Sequence, residues 1–205
     1  ANRLGMRRDA LDGFVSEDGF ATIVTGVRRS GKSTLLDQWV EQQNESVACV
    51  HFDDLRMSSF STSDFSILDV VVREMQMDTL VLDEVQDIPE WERFVNGCLD
   101  MGRRVLVTGS NAKMLSRELG TKLTGRHLNV ELYPFSFSEF LRFRKMEPSP
   151  ITLNEYLSTG GFPAYVRTQR REVLEELFND IIYRDIVVRY HLRDHVPIRS
   201  IAAYL

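Results

Sequence analysis

The sequence predicts an α/β fold: a three-layer αβα sandwich around a parallel five-stranded sheet, followed by a helical segment. Three observations predict it. First, apolar strand-sized segments recur at 20–24, 47–52, 79–82, 104–108 and 127–132, and helical patterns alternate with them. That alternation builds a parallel sheet with helices on both faces. Second, a glycine-bounded loop joins the first strand to an amphipathic helix. Third, two carboxylates, Asp83 and Glu84, end the third strand, and such strand ends line the ligand crevice of an open α/β sheet.

Residues 1–19 are mixed and polar; Arg7 and Arg8 precede Leu11, Phe14 and Val15, which suggests a short helix beside the loop. Phe20 to Val24 is apolar throughout, as a central parallel strand is. Thr25-Gly26-Val27-Arg28-Arg29-Ser30-Gly31-Lys32-Ser33-Thr34 follows. Its pattern G-x-x-x-x-G-K-[ST], the Walker A or P-loop motif, is a phosphate cradle: loop N–H groups converge on phosphate oxygens, with the positive end of the next helix behind them. Residues 26–34 are therefore the candidate nucleotide-binding stretch, including Gly26, Arg28, Arg29, Ser30, Gly31, Lys32, Ser33 and Thr34. Lys32 reaches the β- and γ-phosphates and the Ser33 hydroxyl binds Mg²⁺. Leu35, Leu36, Trp39 and Val40 share one face of the helix that follows.

The second strand, 47–52, ends in Asp53-Asp54, which either face a ligand or cap a turn. Thr62-Ser63-Asp64 offers a cap for a helix carrying Phe65, Leu68, Val71, Val72 and Met75. Thr79 to Leu82 then runs straight into Asp83-Glu84. Beside a phosphate loop, such an acidic strand end (Walker B) completes a metal site. Asp83 is the metal candidate, and Glu84 is placed to orient and deprotonate an attacking water. Glutamate directly after the aspartate favours hydrolysis of ATP over transfer to a small acceptor.

Residues 89–101 read as a helix with Trp91, Phe94, Val95, Cys98 and Leu99 in its stripe. The strand 104–108 leads to Gly109-Ser110-Asn111, where Ser110 or Asn111 either senses the γ-phosphate or caps a helix over 113–119. His127 to Leu132 alternates, and Pro134 breaks it. Ser136 and Glu139 form a capping box, and Thr152 with Glu155 a second. Between them, residues 145–151, with Pro148 and Pro150, read as a linker. Gly160-Gly161-Phe162-Pro163 is a stiff turn, and a long helical pattern starts near Glu172 and stops at Pro197. The expected organisation is a P-loop ATPase domain over 1–145 and, over 152–205, a helical lid or the start of a C-terminal domain cut short by the chain end.

The formal charge of −5 gives no overall signal for nucleic acid, and it leaves room for a local basic patch. Arginines pair at 7–8, 28–29, 103–104 and 170–171, on solvated ion-paired faces or a phosphate or partner surface. Cys49 and Cys98 sit singly in apolar segments and read as small buried hydrophobes of a reducing compartment. His51, His127, His191 and His195 form no metal-ligand set: His191 and His195 share an i, i+4 spacing, but no acidic partner completes a zinc motif. No signal peptide or bilayer-length apolar run is present, so a cytoplasmic protein with no membrane partner is expected.

The chain resembles the AAA-type prokaryotic ATPases related to the archaeal-ATPase and STAND groups. The resemblance runs from about residue 18 through residues 26–33, 82–86, 109–111, Leu123-Thr124-Gly125-Arg126, Tyr133 to Phe140 and Gly160 to Pro163. Val27 stands where the family often has proline, which leaves the loop's chemistry untouched. The resemblance, together with the intervening strand 47–52 and the Asp-Glu pair, implies the AAA+/ASCE type. It also implies ATP and Mg²⁺ as ligand and cofactor and self-assembly as a homo-oligomer. Arg126 then takes the role of an arginine finger reaching a neighbour's γ-phosphate, against the reading of an ion-paired surface arginine. The family usually carries a further C-terminal domain, so the chain is expected to be a fragment whose missing part would meet a protein or DNA partner. The expected function is Mg²⁺-dependent ATP hydrolysis driving conformational change. The alternatives are a non-catalytic ATP-dependent switch or scaffold and a small-molecule kinase.

Overall fold

The computed structural model describes residues 5–109, 123, 125–188, 192 and 198–201. Those up to 132, other than 27–30, form one compact unit; 27–30 and those from 133 onward form a second. Ser110, Asn111, the helix expected over 113–119, Thr124, His191 and His195 lie outside the described residues.

The first unit is built on five strands: β1 (Ala21–Thr25), β2 (Val47–His51), β3 (Thr79–Asp83), β4 (Arg104–Thr108) and β5 (His127–Glu131). All pair in parallel, in the order β2-β3-β4-β1-β5. β2, which follows the phosphate loop in sequence, is therefore an edge, and β4 is the strand that separates β1 from β3.

Alternation along the strands sorts the core into two faces. Ala21, Ile23, Leu80, Leu82, Val105 and Val107 pack on one side. There they meet Phe65 and Val72 of α2 (Asp64–Glu74) and Trp91, Val95, Cys98 and Leu99 of α3 (Trp91–Asp100). Val24, Val81 and Leu106 turn to the other side, against Leu35, Leu36 and Trp39 of α1 (Lys32–Glu41) and Leu11 of a single 3-10 turn, Asp9–Leu11. The sheet with helices on both faces is the expected three-layer α/β architecture.

Two expectations about burial change. Ala48 and Val50 pack toward the α2 and α3 face, which turns Cys49 to the opposite side of an edge strand, where it is exposed; Cys98 is buried. On α2, Val71 and Met75 lie at the margin of the stripe set by Phe65, Leu68 and Val72, and both are exposed.

The second unit holds α4 (Phe137–Arg144), α5 (Pro150–Thr159), α6 (Pro163–Thr168) and α7 (Arg171–Asp180). The Ser136/Glu139 capping box forms as expected. The second box is displaced by three residues: Ser149 is the cap, Pro150 occupies the first helical position and Thr152 is the reciprocal partner. Proline suits that position because its missing N–H has no intrahelical acceptor there. The long helical pattern from 172 is not one α-helix, since a π-helical run, Ile181–Val188, replaces it after α7.

Candidate functional site: the C-terminal ends of β1, β3 and β4

Because the sheet is parallel, β1, β2, β3 and β4 deliver their last residues to the same edge. β1 ends at Thr25, and Gly31 starts α1 with φ 101°, a left-handed conformation that glycine adopts without a Cβ penalty. Space adds to that demand: a Cβ there would stand 2.9 Å from a guanidinium nitrogen of Arg8. Lys32 follows, with its side chain buried. Its Nζ donates to the Gly26 carbonyl at 3.2 Å and lies 3.4 Å from Glu84 Oε1. No acidic residue occupies the first turn of α1, so the positive end of the helix dipole is not offset there.

Asp83, the last residue of β3, is buried and collects three partners from three elements. Ser33 Oγ of α1 donates to its Oδ1 at 3.2 Å, and Thr108 Oγ1 of β4 donates to the same oxygen at 2.5 Å. His51 Nδ1, at the end of β2, lies 3.0 Å from Oδ2. Glu84 follows in a left-handed conformation, φ 58° and ψ 39°. Its N–H donates to Thr108 Oγ1 at 2.9 Å, and its carboxylate accepts from Gln86 Nε2 at 2.8 Å.

The structure thus brings together Gly26, Gly31, Lys32, Ser33, Asp83 and Glu84. A hydroxyl and a carboxylate 3.2 Å apart make an all-oxygen donor pair, which suits a hard divalent cation such as Mg²⁺. Among the described residues no group of three or more His, Cys, Asp or Glu is arranged to hold a metal.

Thr34 is half-buried in α1, and Ser30 is buried while Arg28 is half-buried, both in the second unit. In that unit Arg29 donates to Asp180 Oδ2 at 3.2 Å. Asp54 caps the 3-10 turn Leu55–Met57 through the Arg56 N–H. The Arg56 hydrogen bonds pull its carboxyl down to about 2. Arg126 precedes β5, and its backbone oxygen accepts from Ala21 N. It therefore sits at the sheet edge opposite the phosphate loop. Five strand residues of roughly 3.3 Å each separate the two ends. Arg126 pairs there with Asp100 at 2.6 Å and donates to the Gly19 carbonyl at 3.1 Å.

Two members of the site, Thr108 and His51, are not evident from the sequence. There, Thr108 is one more strand residue and His51 an isolated histidine. The signal for both is register, since strand ends paired in parallel with β3 converge on Asp83.

The family model described as "AAA domain" matches residues 18–141, a span that contains the whole sheet, both motifs, Thr108 and Arg126. An uncharacterized protein of Methanocaldococcus jannaschii is 32% identical over 84% of this chain and 43% of its own length. An uncharacterized protein of Haemophilus influenzae is 30% identical over 91% of this chain and 51% of its own. The chain spans about half the length of the curated relatives it matches. Among solved structures, the flagellar accessory protein FlaH of Methanocaldococcus jannaschii aligns with 60% of this chain and 74% of its own, at 11% identity and a TM-score of 0.41. A structure described as the structural basis for katanin self-assembly aligns with 63% of this chain and 46% of its own, at 18% identity and a TM-score of 0.44. With its phosphate loop, acidic strand end and matched span in hand, the chain belongs to the AAA-domain family of P-loop proteins.

Proposed function

We propose that this chain is the ATPase portion of a Mg²⁺-dependent AAA-type enzyme whose hydrolysis of ATP drives conformational change in an attached or partner domain. One observation carries the reading: Lys32 and Ser33 stand within 3.4 Å and 3.2 Å of Glu84 and Asp83 at the end of one sheet. An ammonium group, a hydroxyl and two carboxylates thus meet at one end of the sheet, which supports this reading.

The loop amides around Gly31 and the α1 N-terminus bind phosphate oxygens. Lys32 exchanges Glu84 for the β- and γ-phosphates, which frees the Glu84 carboxylate to orient a water and take its proton. Ser33 and Asp83 hold the metal, and Mg²⁺, when bound, neutralises charge on the β- and γ-phosphates. Ser110 or Asn111, just beyond β4, senses the γ-phosphate. Arg126, out of reach of its own loop, serves a neighbouring copy in a homo-oligomer and stabilises charge on the phosphoryl group there. Residues 152–205 act as lid or transmitting segment. The work falls on a protein or DNA partner in the cytoplasm; retention on DNA that weakens steeply with salt identifies the second partner class. No helix among the described residues is long and apolar enough to cross a membrane.

The test is nucleotide binding and turnover in two variants. Lys32→Ala loses ATP binding. Glu84→Gln keeps it but turns over about 10²–10⁴-fold more slowly, the usual contribution of a positioned base. Undiminished hydrolysis by Glu84→Gln would remove the assigned base. Tight binding with no single-turnover hydrolysis by the wild type would assign the chain to a nucleotide switch instead.

A further inference from the structure

Consecutive residues of a strand point to opposite faces of the sheet. Asp83 and Glu84 are consecutive, yet Asp83 reaches Ser33 and Glu84 reaches Lys32. Both carboxylates enter one crevice only because the chain leaves the β conformation at Glu84. That residue adopts φ 58°, and the 3-10 turn Val85–Asp87 follows. A left-handed non-glycine residue is strained and persists where its surroundings over-determine it. The group that pins it is on β4: the fully buried Thr108 hydroxyl accepts the Glu84 N–H at 2.9 Å and donates to Asp83 Oδ1 at 2.5 Å.

We propose that Thr108 is a positioning residue whose single hydroxyl sets the metal carboxylate and the base in one geometry. The inference rests on the ATPase reading above and names the element that makes its two acids act together. Both functions of the hydroxyl are in use. Its proton goes to Asp83, which turns Oδ1 toward Ser33. Its lone pair takes the Glu84 N–H, which turns that backbone out of the strand. A threonine satisfied by any nearby acceptor would account for the first bond alone. The second falls on the one residue between β3 and the Val85–Asp87 turn that departs from ordinary backbone.

Thr108→Val keeps the shape and removes the hydroxyl; Thr108→Ser keeps the hydroxyl. The readouts are the Mg²⁺ concentration at half-maximal binding of a fluorescent ATP analogue, the affinity for that analogue in EDTA, and turnover at saturating Mg²⁺. Thr108→Val raises the Mg²⁺ midpoint and lowers turnover, each about tenfold or more, as loss of a hydrogen bond to a charged group implies. Metal-free affinity, which depends on Lys32 and the loop, stays at the wild-type value. Thr108→Ser restores both altered quantities. A merely structural role lowers the melting temperature and leaves the midpoint in place. A folded Thr108→Val protein with the wild-type midpoint and turnover overturns the proposal. Thr108→Ala, which removes the same hydroxyl, supplies the readout where Thr108→Val does not fold. A wild type that binds Mg²⁺–ATP without turnover sinks the hydrolytic reading, and the midpoint then decides Thr108 by itself. A wild type without Mg²⁺-dependent binding removes both.

Discussion

Arg103, just before β4, is nearly buried, and Asp69 of α2 is what makes that tolerable. The carboxylate accepts from Arg103 Nη1 at 2.6 Å and also pairs with Arg73. Arg103's hydrogen bond holds the Asp69 carboxyl below the usual carboxylate range, against the upward push of burial. A carboxyl whose folded value lies below its unfolded one, about 3.9, stabilises the fold fully above that value. The contribution is lost as pH falls through the lower, folded value. Asp69→Asn leaves a guanidinium with no compensating charge and costs about 1–3 kcal/mol at neutral pH. Denaturant melts between neutrality and strongly acid pH check this: wild type and variant differ at pH 7, and the gap starts to narrow below pH about 4 and closes as pH falls through the folded value. A gap that persists unchanged into strong acid would assign the effect to packing instead of charge. The residues of the site obey a different logic. The meeting of Lys32, Ser33, Asp83 and Glu84 was legible because each pair belongs to a local pattern at the C-terminal end of an apolar strand. Thr108 and His51 were not, because a polar residue at a strand end carries no signal until the strand order shows that it abuts Asp83.

At the scale of elements, the two stretches 133–140 and 160–163 turn out to be one structure. Phe135 N donates to the Gly161 carbonyl at 2.7 Å, and the Tyr156 hydroxyl donates to the Phe135 carbonyl at 2.9 Å. A Cβ on Gly161 would lie 2.0 Å from the Phe135 carbonyl oxygen, so backbone would have to move against backbone. Gly161→Ala therefore destabilises by about 1–3 kcal/mol, the usual cost of overpacking, and speeds exchange of the Phe135 amide hydrogen. Gly97 supplies the contrast. It lies inside α3, and a methyl group added there would meet nothing within 4 Å. Gly97→Ala consequently stabilises by roughly 0.5–1 kcal/mol. Equal effects at the two sites in thermal melts would refute the steric account. Elements themselves were legible where local chemistry defines them, as at the Ser136/Glu139 box. They were misread where two local solutions compete: Ser149 and Thr152 are both cap residues, and the proline between them decides in favour of the first. The edge position of β2, and with it the exposure of Cys49, depends on pairing across distant sequence and leaves no local trace.

For the molecule as a whole, the position of Arg126 makes assembly a testable consequence of the chemistry. β1 and β5 run in register from Ala21 beside His127 to Thr25 beside Glu131. Arg126 therefore enters the sheet at the edge that β1 leaves behind before it reaches the phosphate loop. Five residues at about 3.3 Å put the two ends roughly 17 Å apart, beyond the reach of an arginine side chain. A guanidinium that acts on a γ-phosphate from there must act on another copy. Its present partner, Asp100, is well exposed, so the pair is weakly held and a triphosphate is the stronger anion to meet. Sizing with and without ATP then gives an ATP-dependent oligomer for the wild type, and Arg126→Ala lowers turnover by about 10³-fold or more while ATP binding persists. Mixing decides between action in trans and simple loss of fold. Arg126→Ala has an intact loop and no finger, whereas Lys32→Ala has a finger and no working loop. Combined, they form sites in which one supplies what the other lacks, so the mixture regains activity that neither protein shows alone. A monomer at every ATP concentration, with Arg126→Ala as active as wild type, would return Arg126 to the ordinary surface ion pair with Asp100.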